Sequence, residues 1–169
     1  MRIQNTSCKY LWTPFKEELK IKHLEPMPPE VKSSILQKLK KLEDVTARLE
    51  QLKKHPLEKF LNTFEIQDAA MYNLVVGIES ITDVGNYFLA ERFQKNPETY
   101  EDIIKGLGET KIISAELLQK SEGMARFRNR LVHLYEAVEP EMVHGYLQQA
   151  PGIFREYAMA FSEFMEKQV

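Results

Sequence analysis

At 169 residues, with 43% hydrophobic residues and a formal net charge of -2, the chain is long enough for one cored domain and too apolar for disorder. That charge excludes a wholly basic nucleic-acid glove, so any RNA contact must come from a local basic patch or from patches joined by oligomerisation. The single cysteine, Cys8, excludes an intrachain disulfide and a cysteine zinc cluster; with no apolar run of membrane-span length and no signal peptide expected, a cytoplasmic protein is the reading.

Residues 1–30 read as an N-terminal extension and 31–169 as a helical domain. The extension carries an aromatic cluster, Tyr10, Leu11, Trp12 and Phe15, followed by Pro26, Pro28 and Pro29, which interrupt any regular element. Two uses of the cluster stand, packing on the domain and docking of a partner. The first is favoured, because exposed aromatic clusters are uncommon.

Ile35, Leu39, Leu42, Thr46, Leu49 and Leu52 then recur at helical spacing, and His55-Pro56 ends the run. A longer helical region is predicted from Leu57 to about Gln94, with a stripe through Ile66, Ala70, Leu74, Gly77, Ile81, Val84 and Phe88 and a break near Asn62-Thr63, where Thr63 can cap a new helix. Asn96-Pro97-Glu98 starts a short piece carrying Tyr100, Ile103 and Ile104. Gly106-Leu107-Gly108 reads as a turn, and Ile112, Ile113, Leu117 and Leu118 as a further helix. A helix over about Met124–Val138 precedes Glu139-Pro140 and a last helix rich in aromatics, which Pro151-Gly152 should kink. No segment alternates with period two between hairpin turns, so no sheet is predicted. The fold class is all-α, an up-and-down bundle with short extra helices and an N-terminal extension.

The helix from Met124 holds most of the chemistry. Met124, Phe127, Leu131, Leu134 and Val138 make a buried seam at spacings of three and four. Arg126, Asn129, Arg130 and His133 cluster on one side of it, and Arg128 and Tyr135, seven apart, share the other. On composition alone, a solvated basic face is the better explanation of these residues. Arg128 and His133 are five apart, so an ideal helix separates them by about 140°. Convergence on one phosphate therefore requires either a distorted helix or a second copy of the chain in a two-fold dimer.

The stretch Met124 to Tyr135, with Arg128, His133 and Tyr135 in the order arginine, four residues, histidine, one residue, tyrosine, resembles the signature of HepT-like HEPN toxins. Ile78 to Asn86 is similar to the second characteristic helix of that family, and Asn96 to Tyr100 followed by Ile112-Ile113 to its middle segment. Tyr87 stands where the family often has a histidine, and Arg126 where a glycine is common. The resemblance implies a HEPN-type helical bundle and a homodimer whose motif helices line a shared cleft. It also implies a metal-independent endoribonuclease toxin of a type II toxin-antitoxin pair. The implied partner is an MNT-type nucleotidyltransferase antitoxin able to transfer AMP onto the motif tyrosine, which is Tyr135 here.

The residues suit that chemistry. An unperturbed imidazole suits acid-base work near neutrality, so His133 can serve as a general acid or base at a ribose 2′-hydroxyl. Arg128 offers a fixed fork of donors for a phosphate. Asn129 can orient His133 or contact substrate, Tyr135 can stack on a base, and Arg126 and Arg130 steer RNA or only aid solubility. Glu79 and Asp83, one turn apart, can line the cleft. A salt link to Arg128 or Arg130 is expected of them rather than a metal site, and neither metal nor cofactor is expected. Met71, Tyr72 and the aromatics of the last helix are expected in the core. The alternatives are a non-catalytic nucleotide- or protein-binding HEPN module and a helical scaffold that only dimerises or binds a partner.

Overall fold

The computed structural model describes residues 27–133 and 138–167. The expected arm at residues 1–26 and the motif residue Tyr135 lie outside the described residues. Seven helices occur among the described residues, and no strand: α1 (Pro29–Leu52), α2 (Leu57–Leu61), α3 (Phe64–Phe93), α4 (Tyr100–Glu109), α5 (Ala115–Lys120), α6 (Met124–Val132) and α7 (Pro140–Glu166). None of them is long and apolar enough to cross a membrane.

The three long helices form the frame. The α1 stripe is buried as the spacing predicts, with Ile35, Leu39, Leu42, Val45, Thr46 and Leu49 all inside. Lys38 of α1 pairs with Asp83 of α3 at 2.6 Å, and Glu50 with Arg155 of α7 at 2.6 Å. Phe88 and Phe93 of α3 meet Phe161 and Phe164 of α7. The order of these contacts makes α3 and α7 run in the same sense, with α1 antiparallel to both. Gly77 of α3 makes room for the buried Phe154 ring of α7, which a Cβ there would overlap.

The break between α2 and α3 falls where it is predicted. Thr63 occupies the N-cap position with an extended backbone, but its hydroxyl caps nothing. Instead the Gln67 amide donates at 2.9 Å to the Phe60 carbonyl, which also accepts from Thr63 N–H at 3.4 Å. At the other end α3 stops at Gln94, in the left-handed region at φ 53°, with Lys95 N–H donating to the Leu89 carbonyl at 3.0 Å. With the Gln94 N–H on the Ala90 carbonyl at 3.2 Å, this is an αL-type ending.

Two expectations need correction. Gly106-Leu107-Gly108 is not a turn but lies inside α4. There the glycines admit neighbouring side chains: a Cβ at Gly106 would meet Leu89 at 2.9 Å, and one at Gly108 would meet Leu118 at 2.6 Å. The reversal comes at Lys111, φ 58°. Ile112 and Ile113 are buried but precede α5. The last helix runs through Pro151, which lies inside it. The other loop residues behave as their chemistry dictates, Thr99 and Asp102 forming a reciprocal capping box and Ser114 capping α5.

The glycines give a direct test of this packing. Gly77→Ala should lower the unfolding free energy by about 1–3 kcal/mol, because the methyl overpacks a closed core. Gly152→Ala, where a Cβ meets nothing within 4 Å, should raise it by up to about 1 kcal/mol from helix propensity. Urea titration of the two variants checks both signs.

Candidate active site around Arg128

Helix α6 is short and held from below. It begins at Gly123, φ 80°, a conformation that side chains resist. Met124, Phe127 and Leu131 are buried. Phe127 stacks on Tyr146 of α7, with centroids 3.6 Å apart and planes at 11°. Just before α6, Ser121 accepts a hydrogen bond from the Tyr157 hydroxyl at 3.0 Å. Burial pushes that hydroxyl up to about 12 although the Ser121 contact works against the shift, so it remains a donor throughout the neutral range.

The expected helix to Val138 is shorter. It ends at Val132, and His133 is its C-cap, at φ -84° and ψ 20°, with its N–H on the Asn129 carbonyl at 3.0 Å. Residues 134–137 are not among those described, and Val138 is half-buried outside any helix. The His133 N–H still closes the last turn of α6, so helical backbone runs from Arg128 up to His133 and the separation of about 140° still applies to the pair.

Arg128 is the most constrained of the basic residues. Its side chain is 13% exposed, and its Nη2 donates to Glu79 Oε1 of α3. Its Nη1 reaches Asn129 Oδ1 at 3.3 Å. The guanidinium carbon lies 4.6 Å from the centre of the Tyr100 ring on α4, within cation–π range. The Nε is buried without a hydrogen-bond partner among the described residues. Three helices thus meet at one cation. The ion pair between Glu79 and an arginine is the arrangement expected for that carboxylate. Asp83 differs: its partner is Lys38, one turn further along α3 and on the α1 side. Asn129 holds Arg128 through its side chain and His133 only through its carbonyl.

The other predicted residues lie around this centre. Arg126, Asn129, Arg130 and His133 are exposed on α6 and its end. Arg130 contacts Met142 Sδ at 3.5 Å and no carboxylate among the described residues. Among the described residues no three His, Cys, Asp or Glu side chains converge as a metal site would require. Tyr100 is the residue to which sequence reasoning gave no role, naming it only in its short helical piece and in the family-like middle segment. The one signal that sets it apart is its position directly after a capping threonine, where its ring is carried at a helix start rather than within a seam. Tyr72 is a second departure: expected in the core, it is 57% exposed, and Phe64 on the same side of α3 is 78% exposed, because no other described helix covers that side.

Residues 35–161 match the model of the family described as Ribonuclease HepT-like. The chain belongs to the HepT-like family, and its fold is the HEPN helical bundle. A search of curated proteins gives no match. Among solved structures, the chain is similar to a tri-AMPylated Shewanella oneidensis HEPN toxin in complex with MNT antitoxin, with a TM-score of 0.69, 21% identity, and cover of 76% of this chain and 96% of that one. It is also similar to a mutant of the toxin-antitoxin MntA-HpeT, with a TM-score of 0.67, 22% identity and cover of 76% and 97%. A cytosolic protein of unknown function, YutE from Bacillus subtilis, matches with a TM-score of 0.69, 18% identity and cover of 82% and 92%.

The energetics of the centre can be measured by double-mutant cycles. Glu79→Ala with Arg128→Ala should show a coupling of about 1 kcal/mol in unfolding, because the pair is partly shielded. Asp83→Ala with Arg128→Ala should couple by less than about 0.3 kcal/mol, since these side chains share no partner.

Proposed function

We propose that the chain is a metal-independent endoribonuclease toxin, neutralised by an MNT-type nucleotidyltransferase antitoxin. The observation that carries this reading is the pairing of an anchored cation with an exposed imidazole: Arg128 fixed by Glu79 and Tyr100, and His133 five residues on at the helix end. The HepT-like match and the antitoxin-bound HEPN toxin among the similar structures support it. In this mechanism His133 takes the proton of a ribose 2′-hydroxyl as its oxygen bonds to the adjacent phosphorus. The bond from phosphorus to the 5′-oxygen then breaks, and that oxygen leaves with a proton. Arg128 stabilises the charge on the non-bridging oxygens with the N–H groups that Glu79 does not use. Arg126 and Arg130 draw the RNA backbone in.

The active species is a homodimer in this proposal, with each chain one domain from about residue 31 onwards. The exposed Phe64 and Tyr72 lie on the same side of α3 as Glu79. An apolar patch beside the site is suited to a second copy, and such a dimer brings two sets of basic residues to one cleft. Regulation acts through Tyr135, two residues beyond His133 in the chain. Its hydroxyl oxygen attacks the α-phosphorus of ATP on the antitoxin, a phosphotyrosyl bond forms and pyrophosphate leaves. The added negative phosphate then opposes RNA phosphates at Arg128.

Two measurements test the reading. His133→Ala should lose at least about a hundredfold in RNA cleavage with an unchanged melting temperature, and excess EDTA should leave wild-type cleavage intact. Cleavage by His133→Ala at the wild-type rate, or loss in EDTA restored by magnesium, overturns it. Coexpression with the antitoxin followed by peptide mass spectrometry should find AMP on Tyr135 and none on the Tyr135→Phe chain. AMP on Tyr146 or Tyr157 instead would displace the assignment.

A further inference from the structure

An ion pair and one hydrogen bond do not fix the plane of a guanidinium. The Glu79 contact holds Nη2 of Arg128, and the Asn129 contact, at 3.3 Å, is long. The Nε, which would otherwise complete the restraint, has no partner among the described residues. The remaining restraint is the face of Tyr100, 4.6 Å from the guanidinium carbon.

We propose that Tyr100 is a positioning residue for the reaction, setting the plane of the Arg128 fork against the scissile phosphate by cation–π stacking. This rests on the ribonuclease reading above. The local sequence is built to hold the ring still. Tyr100 is the first residue of α4, directly after Thr99. The Thr99 hydroxyl accepts from Asp102 N–H at 3.1 Å, while the Asp102 carboxylate accepts from Thr99 N–H at 3.1 Å. One turn on, Ile103 packs at Gly85 of α3, where a Cβ would come within 3.0 Å of it. The start of α4 is therefore fixed against the helix that carries Glu79. The Tyr100 hydroxyl makes no hydrogen bond among the described residues, so the role belongs to the ring face and not to the phenol.

The alternative occupant of that face is a base of the RNA, and the two roles separate by kinetics. A positioning ring acts on kcat, because a misaligned fork still binds phosphate but meets the transition-state oxygens poorly. A base-stacking platform acts on KM.

The test uses the full-length chain, a fluorescently labelled single-stranded RNA of mixed sequence, and nitrogen-15 NMR of the arginine side chains. In the wild type, the Arg128 Hε signal should be shifted upfield by the ring. Tyr100→Phe should keep that shift and cleave within about twofold of wild type. Tyr100→Leu should lose the shift and lower kcat by about two- to thirtyfold, the span of a cation–π contact, with KM nearly unchanged. Tyr100→Met, which fills similar space without a π face, should repeat that result and stands in if the leucine variant melts early. Wild-type kcat in the folded Leu and Met variants, or an effect confined to KM, overturns the proposal. Should the wild type cleave no RNA, the ribonuclease reading falls instead, and an Hε shift indifferent to the ring would then sink the positioning role separately.

Discussion

The arrangement of the site depends on a single half-buried cation. A guanidinium cannot shed its charge, so the fold has to surround Arg128 with compensation or leave the motif helix unseated. Compensation comes from two elements distant in sequence, the carboxylate of Glu79 on α3 and the ring face of Tyr100 on α4. Each supplies a different physics: one is a directed, charge-assisted hydrogen bond, the other a diffuse attraction to a quadrupole. The consequence is that α3, α4 and α6 are tied at one point by chemistry as well as by packing.

The rest of the bundle can be understood as support for that point. Gly77 lets α3 sit against Phe154 of α7, and Gly85 and Gly106 let α4 and α3 close on each other. The Phe127–Tyr146 stack fixes the underside of α6 on α7. These contacts concern apolar or small groups, so they leave the charged face of α6 free for Arg126, Asn129, Arg130 and His133. A stable core and an exposed basic edge are thereby assigned to opposite sides of a nine-residue helix.

Much of this was readable in the amino-acid order, and the failures are instructive. Spacings of three and four in α1, α3 and α6 mark their buried stripes because one face of each meets the core. The link between Glu79 and an arginine was legible as a complement of charge, with Arg128 and Arg130 both admissible. The end of α6 was not legible: Leu131, Leu134 and Val138 keep helical spacing past the point where the helix stops, so period alone carries no boundary. Gly106 and Gly108 read as a turn because glycine favours turns, whereas here it admits a neighbouring side chain. Tyr72 reads as core because an apolar residue at helical spacing does not reveal which side of its helix lacks a neighbour. Tyr100 meets Arg128 across twenty-eight positions of chain, and a contact of that range leaves no periodic trace.

The early end of α6 also changes what kind of constraint the motif obeys. Within a helix, every residue added between two functional groups rotates one against the other by about 100°. The rule reaches as far as His133, whose N–H still bonds to the Asn129 carbonyl, and lapses at its cap backbone. The Arg128–His133 interval is therefore a matter of helix phase. A residue inserted between Asn129 and Leu131 would turn the seam out of the core. One inserted between Val132 and His133 would leave the seam in place and swing the imidazole by about 100°. The two ends of one short motif thus differ in their tolerance of insertion.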